Sequence, residues 1–197
     1  MTNNVNCWER LASGKYVDIN NLTTDDLTIG DVDTSLNHTT RFNGHFKNVE
    51  PLTVAQHSYL CYILARHFEP INFKLHLACL THDFAESIIG DISVPVKYAM
   101  GRGYDDFAMP IERLFEQKFF GGVITEELHK LVKYYDLMSL DIERRVLWSD
   151  QTGADKWPDI QYKMSLIEKR GWFKVVQGLR YVDLVSMWEH VYNSVYK

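Results

Sequence analysis

Cysteine, long apolar runs and blocks of one charge are all scarce in this sequence, and each scarcity removes a class of protein. The three cysteines, Cys7, Cys61 and Cys79, are odd in number, widely spaced and without a CxxC pair. Neither a disulfide scaffold nor a zinc knuckle is built that way. No apolar stretch approaches the ~20 residues that a helix needs to cross a bilayer, so no membrane partner is expected. Met1 to Arg10 is polar and has no basic region followed by an apolar one, unlike a secretory signal. The expected location is the cytoplasm. The net charge is −5, and basic clusters are as short as Arg144-Arg145. Proteins that grip a nucleic-acid polymer carry a basic patch or stripe, so none is expected as a partner. A pocket for a small anion needs only two or three cations and stays open. Repeats, low-complexity segments, clear linkers and alternating strand-like runs are also scarce.

What is present is helical periodicity over a chain of 197 residues, long enough for one domain with a sizeable core. Residues 1–45 are rich in Asn, Thr, Asp and Gly and read as turns and short helices. From Thr53, a capping residue, Val54, His57, Cys61 and Leu64 recur on one helical face. Asn72 caps a second helix that runs to about Ile89, with Leu75, Ala78, Cys79 and His82 inward. The segment Gly90-Asp91-Ile92-Ser93-Val94-Pro95 breaks the pattern. A helix is expected from about Asp105 to Phe120, ended by Gly121-Gly122. Thr125 followed by Glu126 and Glu127 starts another, running to about Trp148, with Leu128, Val132, Asp136 and Leu140 inward. The last part, through Trp157, Trp172 and Trp188, completes the core with one or more helices. The expected fold is all-α: one domain over 1–197, with an irregular 1–45, the main helices in 50–148 and a helical completion in 149–197.

Four residues on these helices have the chemistry of metal ligands: His57, the adjacent pair His82 and Asp83, and Asp136 on an apolar face. An unpaired carboxylate in a core is strongly disfavoured. A shared divalent cation would remove that cost, and two carboxylates would neutralise its charge. Two imidazoles with two carboxylates suit Mn, Fe, Co, Ni or Zn better than Ca. Glu86 follows His82 by four residues and Asp83 by three, on the same helix face. It can stand beside the ion as a proton carrier rather than a ligand. Plainer readings stay open for each residue alone. His57 can be a hydrogen-bonded core histidine, His82-Asp83 a chance dipeptide, and Asp136 a buried partner of Arg144. His38, His45, His67, His76, His129 and His190 fit no ligand spacing.

Five segments in order narrow the choice: Thr40-Arg41-Phe42-Asn43-Gly44-His45, Val54-Ala55-Gln56-His57-Ser58, Thr81-His82-Asp83-Phe84-Ala85-Glu86, Gly90-Asp91-Ile92-Ser93-Val94-Pro95-Val96-Lys97-Tyr98 and Val132-Lys133-Tyr134-Tyr135-Asp136. Together they resemble the HD-domain phosphohydrolases, in the branch of the bacterial 5′-deoxynucleotidases and the phage dATP triphosphohydrolases. The likeness covers roughly residues 28 to 148. It implies an HD-domain helical bundle holding one divalent ion (Zn, Co, Mn, Mg or Fe) on His57, His82, Asp83 and Asp136. It also implies Glu86 as the catalytic carboxylate, Asp91 on a sugar 3′-hydroxyl, Arg41 and Lys97 on phosphate, and Phe42 beside sugar and base. Tyr134-Tyr135 before Asp136, Leu137-Met138 after it, and the small Gly44 depart from the family pattern and bear on base preference.

The implied activity is hydrolysis of deoxynucleotides, either a dNTP to nucleoside and triphosphate or a deoxynucleoside monophosphate to nucleoside and phosphate. The Arg41-Phe42-Asn43-Gly44-His45 segment tilts towards the triphosphate substrate. A nucleotide-sensing module without turnover is the rival of another class, and Glu86 speaks against it, since a sensor has no need of a proton carrier. A nuclease or cyclic-nucleotide phosphodiesterase is disfavoured by the acidic balance and the lack of a second ligand set. The family also implies a homo-oligomer, in a host cytoplasm if the chain is phage-encoded.

Overall fold

The computed structural model describes residues 7–45, 50–148 and 164–197. It is mostly helical, as the periodicity predicts. The helices are α1 (Ile29–His38), α2 (Val54–Phe68), α3 (Phe73–Thr81), α4 (Glu86–Ile89), α5 (Val94–Met100), α6 (Arg102–Phe115), α7 (Glu126–Leu147), α8 (Leu166–Gln177) and α9 (Leu184–Tyr196). Among the described residues, no helix is long and apolar enough to cross a membrane. The N-terminal part holds more order than its composition suggests. Strands β1 (Trp8–Arg10) and β2 (Tyr16–Asp18) form an antiparallel hairpin, and α1 is ten residues long. Asp31 ties the two together, accepting from Ser13 N at 2.6 Å and Thr28 Oγ1 at 2.6 Å.

Capping chemistry fixes where the central helices begin. Thr53 Oγ1 accepts from Gln56 N, and Gln56 Oε1 accepts from Thr53 N at 2.8 Å, a reciprocal box that opens α2. The Gln56 amide also donates to Val176 O at 3.0 Å and Leu179 O at 2.7 Å, stapling α2 to the end of α8. Asn72 caps α3 through Leu75 N, and Thr125 caps α7 through Leu128 N. Helices α2, α3 and α7 pack on one another, with α8 and α9 closing the other sides. Leu60, Leu64, Leu75, Leu77, Leu80, Phe84 and Ile142 are fully buried between them. From the C-terminal part, Phe173 and Val191 enter the same core, and Trp188 Nε1 donates to Phe119 O at 2.8 Å. Trp157 lies outside the described residues.

Two expectations need correction, and a third holds with a change of helix type. The helix expected from Asn72 to Ile89 is two: α3 stops at Thr81, and His82 to Ala85 form a turn before α4. Bonds from Phe84 N to Thr81 O and from Glu86 N to Asp83 O tighten the chain there to an i to i+3 pattern. The helix expected to reach Phe120 ends as an α-helix at Phe115 and continues as a π-turn over Glu116–Phe120. Gly121 then closes it in the left-handed region, at φ 87°. The inner face of α7 is Val132, Tyr135, Met138, Ser139 and Ile142, while Leu128, Asp136 and Leu140 are only partly buried. A run of fours drifts about 40° per step against the 3.6-residue turn, so it leaves the core face. Alternating threes and fours follow it.

The packed centre sets a stability test. Leu64→Ala deletes a fully buried side chain of α2. The expected loss is about 2–5 kcal/mol in unfolding free energy, read as a lower urea midpoint at unchanged slope.

Candidate metal centre

The core helices converge where α2, the turn after α3, and α7 meet. His57 projects from α2 and is fully buried, and His82 and Asp83 sit on the tightened turn. Ligating atoms of His57, His82 and Asp83 all lie within 4.8 Å of one another and form a group that can hold a metal ion. Asp83 Oδ2 is 3.5 Å from His57 Nε2 and 3.3 Å from His82 Nε2. Asp136 stands at the rim. Its Oδ1 is 3.3 Å from His57 Nε2, and its Oδ2 accepts from Lys133 Nζ at 2.7 Å. Arg144, the alternative partner considered for Asp136, bonds Asp141 instead, at 2.9 Å.

The two imidazoles are set up alike. His57 Nδ1 is bonded to Glu143 Oε1 at 2.6 Å, and His82 Nδ1 to Cys79 O at 2.8 Å. An acceptor on Nδ1 keeps the proton on that nitrogen. Each Nε2 is then buried without a hydrogen-bond partner among the described residues. Buried polar atoms without partners are uncommon and costly. Two of them converging on one carboxylate fit a divalent ion, and nitrogen with carboxylate oxygen suits Mn, Fe, Co or Zn.

The electrostatics say the same. Burial opposes a charge on His57, as does nearby Arg41, yet the Glu143 and Asp136 carboxylates push its pKa up to about 10. Against its burial, Asp136 is held well below the usual carboxylate range by the neighbouring His57, then by His82 and Lys133. Asp83, also against burial, is lowered by His82, His57 and Arg41. The cluster thus draws in positive charge, as a proton on His57 or as a cation.

The remaining predicted residues ring this cluster. Glu86 is nine-tenths buried, with Oε1 3.8 Å from Lys97 Nζ and Oε2 unpartnered among the described residues. Burial, then Asp83 and Asp91, push its pKa well above the usual carboxylate value. Arg41 is buried rather than on the surface. Its guanidinium is 3.8 Å from Asp83, 3.6 Å from Asp91 and 3.6 Å from Glu143. Asp91 Oδ2 accepts from Phe42 N at 3.1 Å. Phe42 packs edge-on to Trp148, with centroids 4.9 Å apart, and flanks the Arg41 guanidinium. Lys97 lies over the Tyr104 ring at 5.1 Å.

Two features were not read from the sequence. Glu143 is completely buried and holds His57. Its only sequence signal is a place seven residues after Asp136, two turns along one face of α7. A cavity of about 420 Å³ opens beside His82, Asp83 and Asp136 and is walled by Glu112, Glu116, His129 and Lys133, among others. His129, with no ligand spacing, pairs there with Glu116 at 3.3 Å.

No protein-family match is found for the chain. Two bacterial proteins are similar to it over most of their length. An uncharacterized protein of Rhodobacter capsulatus, RCAP_rcc00048, is 30% identical over 138 residues, covering 69% of this chain and 70% of that protein. The uncharacterized protein YfdR of Escherichia coli is 31% identical over 149 residues, 76% of each.

Metal uptake should be visible in thermal melting. An ion at a hundred times its dissociation constant stabilises by about 2.7 kcal/mol, so Mn²⁺, Co²⁺ or Zn²⁺ should raise the Tm of the chelator-treated protein by several degrees. Asp83→Ala should abolish the rise. Loading must expel the proton that His57 keeps up to about 10, so the rise should be larger at pH 8 than at pH 6. Without ion the linkage runs the other way: the raised pKa favours the fold below about 6.5, and that contribution fades as pH climbs towards 10.

Proposed function

The chain belongs to the family of these two bacterial proteins, and we propose that it is a metal-dependent phosphohydrolase with an HD-type helical fold, acting on deoxynucleotides. The observation that carries the reading is the pair of unpartnered Nε2 atoms of His57 and His82, converging on Asp83 beside the buried carboxyl of Glu86. The ordered motifs that resemble the HD-domain phosphohydrolases support it.

His57, His82 and Asp83, with Asp136 at the rim, are the residues that would hold the ion. When bound, a divalent ion supplies a Lewis acid for a phosphoryl oxygen and lowers the pKa of a water to roughly 7. The protein's own groups do the rest. Glu86 takes the proton of the attacking water. Its pKa is raised, first by burial and then by Asp83 and Asp91, which makes it a stronger base than an ordinary carboxylate. Lys97, 3.8 Å from Glu86, carries positive charge to the side where a phosphate oxygen would lie.

Arg41 is held by three carboxylates at 3.6 to 3.8 Å, longer than close hydrogen-bonded pairs. A phosphate can therefore compete for its fork. Asp91 keeps Oδ1 beside Arg41 and Oδ2 on the Phe42 amide, and a sugar hydroxyl is the donor it would accept from. Phe42 offers an aromatic wall for sugar or base. The favoured substrate is a deoxynucleoside triphosphate, attacked at the α-phosphorus with release of triphosphate. This rests on the likeness of Arg41-Phe42-Asn43-Gly44-His45 to phage members of the family. A deoxynucleoside monophosphate, losing inorganic phosphate, is the alternative with the same ligands.

The test is a product assay on metal-stripped protein restored separately with Co²⁺, Mn²⁺, Mg²⁺ or Zn²⁺. The substrates are dAMP, dGMP, dATP and dGTP with their ribo forms. Triphosphate from a dNTP is the expected product, and phosphate from a monophosphate alone would make the protein a 5′-nucleotidase. Glu86→Gln should lower turnover by ~10²–10⁴-fold while the metal-induced rise in Tm persists. Nucleotide binding without turnover under every metal would sink the enzymatic reading in favour of a sensor.

A further inference from the structure

We infer that Glu143 is a positioning residue that fixes which nitrogen of His57 faces the metal cluster. The inference rests on the proposed function for the presence of an ion, and on geometry for everything else. Glu143 lies in α7 with no exposure, and its Oε1 lies 2.6 Å from His57 Nδ1, placed to accept a hydrogen bond from it. Its Oε2 faces the Arg41 guanidinium at 3.6 Å, so the buried carboxylate keeps a cation beside it.

The need for such a residue comes from the other side of the ring. Nε2 of His57 has Asp136 Oδ1 at 3.3 Å and Asp83 Oδ2 at 3.5 Å. With no acceptor on Nδ1, a neutral imidazole would keep its proton on Nε2, shared with those carboxylates. The lone pair that binds an ion would then point away from the cluster. Glu143 reverses that preference. Among the described residues, His82 has a backbone carbonyl, Cys79 O, for the same task. A carboxylate is the stronger acceptor. It is spent on the imidazole whose Nε2 has two competing carboxylates. Carboxylates behind ligating histidines typically hold 10–100-fold of metal affinity.

The test combines Zn²⁺ titration calorimetry with histidine ¹⁵N–¹H correlation spectra of the Zn²⁺-loaded protein. In the loaded wild type, His57 should carry its proton on Nδ1. Glu143→Leu, which cannot accept, should weaken Zn²⁺ binding roughly 10–100-fold and disturb the His57 signals while melting stays cooperative. Glu143→Gln keeps an acceptor oxygen and should restore the Nδ1-protonated form and part of the affinity. A proton on Nε2 in the loaded wild type would overturn the inference, and this measurement stands even if Glu143→Leu fails to fold. A folded Glu143→Leu with wild-type affinity would overturn it alone, leaving the phosphohydrolase reading intact. A wild type that takes up no divalent ion would remove both.

Discussion

Buried negative charge at the meeting of α2, the post-α3 turn and α7 is the constraint on which the rest of the site depends. Asp83, Glu86, Asp91, Asp136 and Glu143 all crowd one region, and Glu143 has no exposure to water. Charges taken from water are costly unless they are paired and hydrogen-bonded. Arg41 answers three of them, Lys97 one and Lys133 one. The rest is met by a proton on His57 and by a raised pKa on Glu86. Two imidazole nitrogens without a hydrogen-bond partner among the described residues face the same carboxylate, in a group that could hold a metal ion.

The local rules that start helices were legible, because they depend on neighbours in sequence. Thr53, Asn72 and Thr125 were read as caps, and each cap is made by a side-chain oxygen accepting a bond three residues on. The α2 face of Val54, His57, Cys61 and Leu64 was legible for the same reason, since its spacing follows the helical turn. The α7 face was misread because a uniform step of four looks periodic yet drifts. The turn at His82 to Ala85 carries no Gly or Pro to announce it. Tertiary packing, not propensity, ends α3 there.

The site was legible only in part, for a different reason. Its ligand types could be listed, but pairings across the fold could not. Glu143 lies 86 residues from His57, and nothing local marks it. Arg41 read as a phosphate contact, and its burial among Asp83, Asp91 and Glu143 follows from packing alone. The Val54-Ala55-Gln56-His57-Ser58 segment shows how a motif mixes tasks. Val54 and Ala55 fill the core and Gln56 joins α2 to α8, while His57 faces the cluster.

The turn that carries Arg41 shows how the same charges shape the backbone. Phe42 and Asn43 both lie in the left-handed region, at φ 54° and 51°. For Phe42, which has no short polar side chain to ease it, that conformation costs about 1–2 kcal/mol. The bond from its amide to Asp91 Oδ2 and the bond from Arg41 N to Leu52 O offset the cost. The strained turn therefore depends on Asp91 as the acceptor that faces it. Its geometry buries Arg41 beside Asp83 and sets Phe42 against Trp148. Asp91 thus acts on the backbone and on the guanidinium together, and a ligand that draws one of its oxygens away would loosen the other contact. Substrate recognition and the shape of this turn are coupled through one carboxylate.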